Sequence, residues 1–203
     1  NEALHGYNSF GEEIDGFPFQ STDRVRSSPA VGDVDNDGQM EIVFGNSSGK
    51  LYIVNHDGSQ QLAYSILGFI EGSPALVDID GDQDLEIAFT TTTTSGGQLY
   101  VIHHNGITMS GFPKELGSMW VGPAVHDIDN DGVYDIVCTT YDKEIYAIDV
   151  NGGTIKPGFP FATSGRFSIS PTIADIDSDG DYDVGDHYHR TFVLETIRHT
   201  LIG

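Results

Sequence analysis

The stretch DVDNDGQME at residues 33–41 is the first of four similar stretches in the chain. The others read DIDGDQDLE at 78–86, DIDNDGVYD at 127–135 and DIDSDGDYD at 175–183. Their first residues are 45, 49 and 48 positions apart (78 − 33, 127 − 78 and 175 − 127). Each copy has acidic residues at positions 1, 3, 5 and 9 and an apolar residue at position 2. Self-similarity at such a period indicates a repeat architecture, with one copy in each structural unit.

The alternating acids of each stretch indicate a site for a hard cation. Two carboxylates about 4 Å apart repel each other by roughly 4 kcal/mol at an effective dielectric near 20, so converging acids need a cation or must spread apart. Calcium suits the pattern best, because it accepts oxygen ligands at flexible angles, whereas magnesium demands a strict octahedron. No His or Cys stands in the pattern to indicate zinc. The alternative is a set of acidic surface turns, but four copies in register favour the metal site.

The side chains predicted to bind the cation are those at positions 1, 3, 5 and 9. They are Asp33, Asp35, Asp37 and Glu41; Asp78, Asp80, Asp82 and Glu86; Asp127, Asp129, Asp131 and Asp135; and Asp175, Asp177, Asp179 and Asp183. The helical EF-hand loop also uses alternating acids, but it needs a Glu at position 12 and flanking helices. Position 12 is Phe44, Phe89, Cys138 or Asp186 here, and no helical period flanks the stretches, so the EF-hand interpretation fails.

The segments around each stretch predict short β-strands. A Pro-containing strand precedes each stretch, as at 28–31, and a short apolar strand follows it, as at 41–44. An alternating strand such as 51–54 comes next, and a Gly-Phe-Pro element ends most units, as at 111–113 and 158–160. Short strands, frequent turn signals and the lack of a helical period indicate an all-β protein. About four strands in a unit of about 48 residues are typical of a β-propeller blade.

Taken together, these elements resemble the FG-GAP (VCBS-type) repeats of integrin-α-like β-propellers. The matching elements are Ser-Pro-Ala at 28–30, the acidic stretch, Ile-Val-Phe-Gly at 42–45 and Leu-Tyr-Ile-Val at 51–54. The resemblance implies about four calcium sites, formed by the side chains at positions 1, 3, 5 and 9 and the backbone carbonyl of position 7. The position 7 residues are Gln39, Asp84, Val133 and Asp181.

The second stretch departs from this family pattern at one position. It places Gln83 where the other copies have the turn glycine. A residue other than Gly rarely adopts a positive φ, so we expect this loop to be strained or slightly different.

We predict one domain over residues 1–203, a β-propeller of four calcium-loop repeats preceded by an N-terminal half-blade. The half-blade spans 1–19, and the repeats span approximately 20–67, 68–114, 115–162 and 163–203. FG-GAP propellers usually have more than four blades. The chain therefore closes as an unusual four-bladed ring, belongs to a larger chain, or shares blades between subunits. Because an unpaired half-blade exposes strand edges, we hypothesise that residues 1–19 complete the sheet of a neighbouring molecule.

The composition excludes several classes of function. The net charge of −22, from 31 acidic and 9 basic residues, argues against a nucleic-acid partner, since no basic stripe is present. No run of 18 apolar residues predicts a membrane-spanning helix. Cys138 is the only cysteine, so an internal disulfide is impossible, and we expect a small buried residue rather than a nucleophile.

Three polar motifs allow both a structural and a functional interpretation. Asn46-Ser47-Ser48 matches the N-glycosylation triplet and is expected in a surface loop. Thr90–Thr94 predicts a strand edge and loop, with O-glycosylation as the alternative. His103 and His104 are expected to be strand or loop residues, with a transition-metal site as the alternative.

We expect an extracellular or cell-surface protein that acts in adhesion, ligand binding or surface structure, with calcium in a structural role. The expected partner is a protein or glycan, and self-association would involve the half-blade. One alternative is a self-assembling filament subunit with shared blades, and a second is a fragment of a polysaccharide-active enzyme. No nucleophile elbow, phosphate loop or His-based zinc motif is present, so we assign no catalytic residue and expect no enzyme activity.

Overall fold

The structure, a computed structural model, describes residues 2–194 apart from Asp177, Asp179, Asp181 and His189. Over these residues the chain consists of β-strands joined by turns and loops, without a helix, which confirms the predicted all-β class. In this part of the chain there is accordingly no helix long and apolar enough to cross a membrane. The strands form five antiparallel sheets that follow one another along the sequence.

Each sheet is built from strands that are consecutive in the sequence. The N-terminal sheet pairs β1 (Ala3–Leu4) with β2 (Phe19–Gln20). Sheet 1 contains β3 (Ala30–Gly32), β4 (Glu41–Gly45), β5 (Lys50–Val54) and β6 (Gln60–Ser65). Sheet 2 contains β7 (Ala75–Val77), β8 (Glu86–Thr90), β9 (Gly97–Ile102) and β10 (Lys114–Leu116). Sheet 3 contains β11 (Ala124–His126), β12 (Asp135–Thr139), β13 (Glu144–Asp149), β14 (Thr154–Ile155) and β15 (Phe161–Ala162). Sheet 4 contains β16 (Thr172–Ala174), β17 (Asp183–Tyr188) and β18 (Arg190–Leu194).

Sheets 1 and 2 have the strand order of a propeller blade. Each strand pairs with the next one along the chain, which gives a four-stranded antiparallel meander. Sheet 3 differs because its outer strand is divided: β14 pairs with the end of β13, and β15 pairs with its beginning. In sheets 1 to 4 the acidic stretches connect the first strand to the second, as the sequence predicts.

Consecutive sheets pack face to face, and the apolar core lies between them. Ile53 of sheet 1 lies in one buried cluster with Phe89 of sheet 2. Val101 of sheet 2 likewise lies with Ile136 of sheet 3. A third cluster joins sheets 3 and 4 through residues such as Val137 and Val184. Each sheet therefore buries an apolar face only when its neighbour is present, as expected for stacked repeat units.

The first strands of neighbouring sheets also contact one another. β3 lies against β7, β7 against β11, and β11 against β16. In contrast, β3 and β16 make no contact among the described residues. Sheets 1 to 4 therefore do not close into a ring over this part of the chain, so the four-bladed closure considered from the sequence is not formed here.

The N-terminal segment covers the outer face of sheet 1. The ring of Phe19 lies edge-on to Phe44 and Tyr52, with centroids 6.0 and 5.3 Å away, and Leu4 and Phe17 join the same cluster. This segment thus packs on sheet 1 as one sheet packs on the next. Its proposed exchange with a neighbouring molecule stays a hypothesis.

The Gly-Phe-Pro elements pack against the following sheet. Gly111 contacts the backbone of Gly152 in the following sheet so closely that a Cβ on Gly111 would overlap it. Gly16 makes the same kind of contact with the backbone of Asp57. Phe112 is buried in the cluster between sheets 2 and 3. This aromatic ring therefore packs between two neighbouring sheets.

Two smaller predictions have different outcomes. Asn46 is buried, and its Nδ2 donates to Ser21 Oγ at 3.0 Å and to Thr22 Oγ1 at 3.3 Å. The prediction of an exposed loop at Asn46 is therefore wrong, because the nitrogen that would carry a sugar is enclosed. Cys138 is buried, as expected, and burial raises the pKa of its thiol.

Candidate metal centres

We call the four acidic stretches loops 1 to 4 (33–41, 78–86, 127–135 and 175–183), and all four hold the position 9 acid in the same way. This acid opens the second strand of its sheet and is almost completely buried, with exposures of 2, 0, 0 and 3% for Glu41, Glu86, Asp135 and Asp183. One of its oxygens accepts the backbone N–H of position 2, at 3.0, 2.7, 3.2 and 2.9 Å from the N atoms of Val34, Ile79, Ile128 and Ile176. The backbone therefore fixes the buried carboxylate at the base of each loop.

Two residues with left-handed backbone shape each loop. In loop 1 they are Asn36 (φ 55°) and Gly38 (φ 89°), at positions 4 and 6. Loop 2 reverses the residue types, with Gly81 at φ 81° and Gln83 at φ 84°. The positive φ considered for Gln83 is confirmed, whereas the need for a second left-handed residue at position 4 was missed. Asn and Gly are the residue types that adopt this conformation most readily.

Loop 1 brings three of its predicted ligands together. Asp33, Asp35 and Glu41 each offer an oxygen within 4.8 Å of the others. Asp33 is held by the N–H groups of Asp37 and Gly38, both at 3.0 Å. Asp37 is not in the converging group, and its Oδ1 accepts the Gln39 N–H at 2.8 Å. Loop 1 thus presents three carboxylates around one small space.

One oxygen of loop 1 supports occupation by a cation. Asp35 Oδ1 is buried and accepts no hydrogen bond from the described residues, while Asp35 Oδ2 accepts Gln61 Nε2 at 2.9 Å. A buried carboxylate oxygen without a partner is costly. A calcium ion bound by Asp33, Asp35 and Glu41 would satisfy this oxygen and neutralise the group.

Loop 2 has more acidic groups in proximity than loop 1. Asp78, Asp80 and Asp82 form one group with oxygens within 4.8 Å of one another, and Asp82, Asp84 and Glu86 form a second. The side chain of Asp84 therefore joins the cluster, although the sequence assigned it only through its carbonyl. Asp84 Oδ1 is also buried and accepts no hydrogen bond from the part of the chain that the structure describes. Loop 2 fits a calcium ion for the same reason as loop 1.

Two histidines that follow β9 lie beside loop 2. His103 Nδ1 is 2.9 Å from Glu86 Oε1, and His104 Nε2 is 3.5 Å from Asp84 Oδ2. Asp80, Glu86 and His103 offer ligand atoms within 4.8 Å of one another. No local spacing in the sequence connects these histidines with the loop, because they lie beyond the next hairpin.

Loop 3 has the geometry of loop 1 but contains a lysine that the sequence reasoning missed. Asp127 accepts the N–H groups of Asp131 at 3.0 Å and Gly132 at 2.9 Å. Asp127, Asp129 and Asp135 converge within 4.8 Å. Lys156 Nζ lies 2.8 Å from both Asp129 Oδ2 and Asp135 Oδ1. The position that a cation would occupy is therefore next to an ammonium group.

Only part of loop 4 belongs to the described residues. Asp175 Oδ2 accepts the Gly180 N–H at 3.2 Å, and Asp183 is held as in the other loops. The predicted ligands Asp177, Asp179 and Asp181 lie outside the described residues. The roles of the Gln39, Asp84 and Val133 carbonyls stay predictions.

The acidic loops are electrostatically unfavourable without a cation. Burial raises the pKa of Glu41, the Val34 N–H opposes this shift, and the charges of Asp35, Asp37 and Asp33 add to it. Burial also raises the pKa of Glu86, and the charge of Asp80 adds to the shift.

In loop 3 the lysine changes this balance. Burial raises the pKa of Asp135 to about 6, with the hydrogen bond from Lys156 opposing the shift. Burial acts to lower the pKa of Lys156, but its hydrogen bonds to Asp129 and Asp135 outweigh burial and raise the pKa above the ordinary value. The ammonium of Lys156 thus offsets part of the cost of burying the Asp135 carboxylate.

The sequence comparisons identify the repeat. Residues 33–89, which contain loops 1 and 2, match a family model described as an FG-GAP-like repeat. The resemblance to FG-GAP-type repeats is thereby confirmed for this segment. A comparison with curated proteins found no significant match.

Three solved structures are similar to the chain. The V. cholerae biofilm matrix protein Bap1 is 20% identical with a TM-score of 0.54, and the match covers 96% of this chain and 34% of Bap1. The Pseudomonas aeruginosa PilY1 C-terminal domain is 16% identical with a TM-score of 0.64, covering 93% of this chain and 51% of that one. BBS1N, from a complex with ARL6DN, is 13% identical with a TM-score of 0.60, and the match covers 96% of this chain and 58% of BBS1N.

The chain thus spans 34% to 58% of the length of these three structures. At such low identities the similarity supports a β-propeller-like fold and nothing more.

Proposed function

Starting from an FG-GAP-like repeat in a β-propeller-like fold, we propose that the chain is a calcium-stabilised binding module that works outside the cell or at its surface. Calcium has a structural role: it neutralises the acidic loops and fixes the connection between the first and second strands of a sheet. The observation that carries the proposal is the convergence of Asp33, Asp35 and Glu41, with Asp35 Oδ1 buried and unpartnered among the described residues.

Calcium binding at loop 1 is tested with Asp35→Asn. Two opposite unit charges about 4 Å apart attract each other by roughly 4 kcal/mol at an effective dielectric near 20, and the attraction is larger for a divalent ion. The loss of the Asp35 charge therefore exceeds the 1.4 kcal/mol that corresponds to a tenfold change in affinity. We expect isothermal titration calorimetry to show one calcium site weakened at least about tenfold. Asp142→Asn, which changes an exposed acid outside the loops, serves as the control and leaves all sites unchanged. Identical calcium binding by Asp35→Asn and the wild type would contradict the proposal.

We propose a role in binding and not in catalysis for this chain, by analogy with one protein of similar fold. Bap1 is a biofilm matrix protein by name. For this chain the proposed partner is a protein or glycan at a cell surface. Calcium-dependent retention of the purified chain on a glycan array or on intact cells would support this role. Cleavage of a polysaccharide by the purified chain would instead favour the enzyme alternative.

Self-assembly is the second candidate function, and the N-terminal sheet favours it. β1 and β2 pair with each other and with no other described strand, so both outer edges of this sheet are open. Phe10, in the connection between them, is 87% exposed. We expect sedimentation velocity in millimolar calcium to detect assemblies that disappear when residues 1–20 are deleted. The same assemblies after the deletion would contradict this candidate.

A further inference from the structure

We propose that Lys156 takes the place of the calcium ion in loop 3, so that the chain supplies the cation of this loop itself. The inference rests on the proposed function, in which the other loops bind calcium. It assigns different metal requirements to loops whose acidic patterns are nearly identical in sequence.

The contacts of Lys156 are those expected of a bound cation. Its Nζ lies 2.8 Å from Asp129 Oδ2 and 2.8 Å from each oxygen of Asp135. Asp131 Oδ2 is 3.7 Å away. The ammonium therefore contacts three of the four side chains predicted to hold the metal in loop 3, at positions 3, 5 and 9. An ammonium has three donors and a compact charge, so it can serve several carboxylates at once.

The side chain of Lys156 is largely buried. Its side chain is 10% exposed, and the side chain of Asp135 is 0% exposed. Lys156 lies in the segment between β14 and β15, and its backbone N–H donates to Ala147 O of β13 at 2.9 Å. Both the backbone and the side chain of Lys156 are thus fixed relative to loop 3.

The same backbone position recurs in the other sheets. In sheet 2 it is Met109, whose N–H donates to Val101 O at 2.9 Å, and both Met109 and Lys156 stand two residues before the glycine of Gly-Phe-Pro. In sheet 1 it is Gln61, the extra residue between the pairs Val54–Gln60 and Ile53–Leu62. Gln61 Nε2 donates to Asp35 Oδ2 of loop 1. This position on the outer strand can therefore reach the loop of its own sheet.

The residue at this position decides how much of the negative charge of each loop is left for a metal ion to neutralise. An amide in sheet 1 and a thioether in sheet 2 add no charge, so the acids of loops 1 and 2 need an external cation. In sheet 3 the lysine already supplies one positive charge among the carboxylates. A calcium ion in loop 3 would have to displace the ammonium or bind directly beside it, and like charges at that distance repel strongly.

The test exchanges the residues at the two equivalent positions. The number of calcium ions per chain is measured by equilibrium dialysis, with total calcium determined by elemental analysis. We expect Lys156→Met to bind one calcium more than the wild type, and Met109→Lys to bind one fewer. Adding Asp129→Asn to Lys156→Met should remove the extra ion, which would locate it in loop 3.

Equal numbers of calcium ions in the wild type and Lys156→Met, with unchanged circular dichroism, would overturn the inference. If Lys156→Met fails to fold, it is replaced by Lys156→Gln, which places the amide found in sheet 1 at this position.

Independently, Asp129→Asn in the otherwise wild-type chain should leave the number of bound calcium ions unchanged, and the loss of one ion would overturn the inference. A wild type that binds no calcium at all would contradict the proposed function, while a gain of one ion in Lys156→Met would still support the role of the lysine.

Discussion

At the level of single residues, loop 2 shows what the sequence could predict and what it could not. Gln83 stands where the other loops have glycine, so its positive φ of 84° followed from the alignment of the repeats. The glycine at position 4, Gly81, also has a positive φ, but the other loops have Asn or Ser there. A requirement for left-handed backbone at position 4 is therefore hidden in the sequence, because three different residue types meet it.

We predict that Gln83→Gly stabilises the protein by about 1 kcal/mol. A left-handed conformation costs an ordinary L-residue roughly 1–2 kcal/mol, and the greater freedom of glycine in the unfolded chain cancels part of the gain. Gly38→Gln in loop 1 is the matched control and should lower the free energy of unfolding by a similar amount. No atom lies within 4 Å of the added Cβ, so only the left-handed backbone opposes this substitution. Urea unfolding in calcium measures both changes, and a destabilised Gln83→Gly would contradict the prediction.

The buried acids predict an unusual pH dependence of the metal-free protein. The pKa of Glu41 is raised above its ordinary value of 4.5, so the folded state binds a proton more readily than the unfolded state. Ionised Glu41 therefore destabilises the metal-free protein at pH 7, and this penalty disappears as the pH falls through the raised pKa. We expect metal-free Glu41→Gln to be more stable than the wild type at pH 7, with the advantage shrinking towards pH 5.

Thermal unfolding of metal-free samples at pH 7, 6 and 5 measures this difference. In saturating calcium the order should reverse, because Gln supplies no charge to the ion. An advantage of Glu41→Gln that stays constant with pH would contradict the assigned cause.

The residues beside the loops were beyond sequence reasoning. Lys156 and His103 approach loops 3 and 2 from later strands of the same sheets, so no local spacing connects them with the acids. Only the pairing of the third and outer strands brings them there. Comparing the residues two positions before the three Gly-Phe-Pro elements would have singled out Lys156, because the other two residues, Ile14 and Met109, are apolar.

At the level of elements, the loops and the Gly-Phe-Pro elements have separate structural roles. The loops connect the first two strands within a sheet, and the sequence predicted this position correctly. The Gly-Phe-Pro elements instead join neighbouring sheets, with the glycine against the next hairpin and the Phe in the core. The repeated element is visible in the sequence, but the close glycine contact depends on how the two sheets are placed relative to each other.

We predict that Gly111→Ala costs at least about 3 kcal/mol. The new Cβ would overlap the backbone of Gly152, and the residue also has a positive φ of 91°. Gly152→Ala is the matched control, because Gly152 has a similar φ of 79° but open space around its Cβ. Gly152→Ala should lower the free energy of unfolding only by the cost of the left-handed conformation, roughly 1–2 kcal/mol. Equal losses in the two variants would show that the contact between the sheets is not tight.

At the level of the whole molecule, stability depends on sheets that pack in sequence, and sheets 1 to 4 do not close into a ring among the residues that the structure describes. Each core cluster joins two neighbouring units, and the N-terminal segment covers the free face of sheet 1. The repeat period predicted stacked units, but it left open whether the four units close into a ring. Which unit covers an outer face is decided by long-range packing, which the period does not contain.

We predict that Phe19→Ala destabilises the protein by about 2–3 kcal/mol, below the usual cost for a fully buried Phe because Phe19 is only half-buried. Phe10→Ala is the control and should change stability by less than about 0.5 kcal/mol, since Phe10 is exposed. Denaturant unfolding at several protein concentrations measures both variants. If the loss for Phe19→Ala depends on concentration, the segment packs on a neighbouring molecule and not on its own chain.

The central claim is that calcium stabilises the fold, and thermal unfolding in calcium, magnesium and chelator tests it most directly. A ligand present at 100 times its Kd adds about 2.7 kcal/mol, and 1 kcal/mol shifts the Tm of a domain of this size by roughly 2–4 °C. We expect millimolar calcium to raise the Tm by at least about 5 °C over chelator, with a smaller effect of magnesium. A Tm that is the same in calcium and in chelator would contradict the claim that these loops are calcium sites.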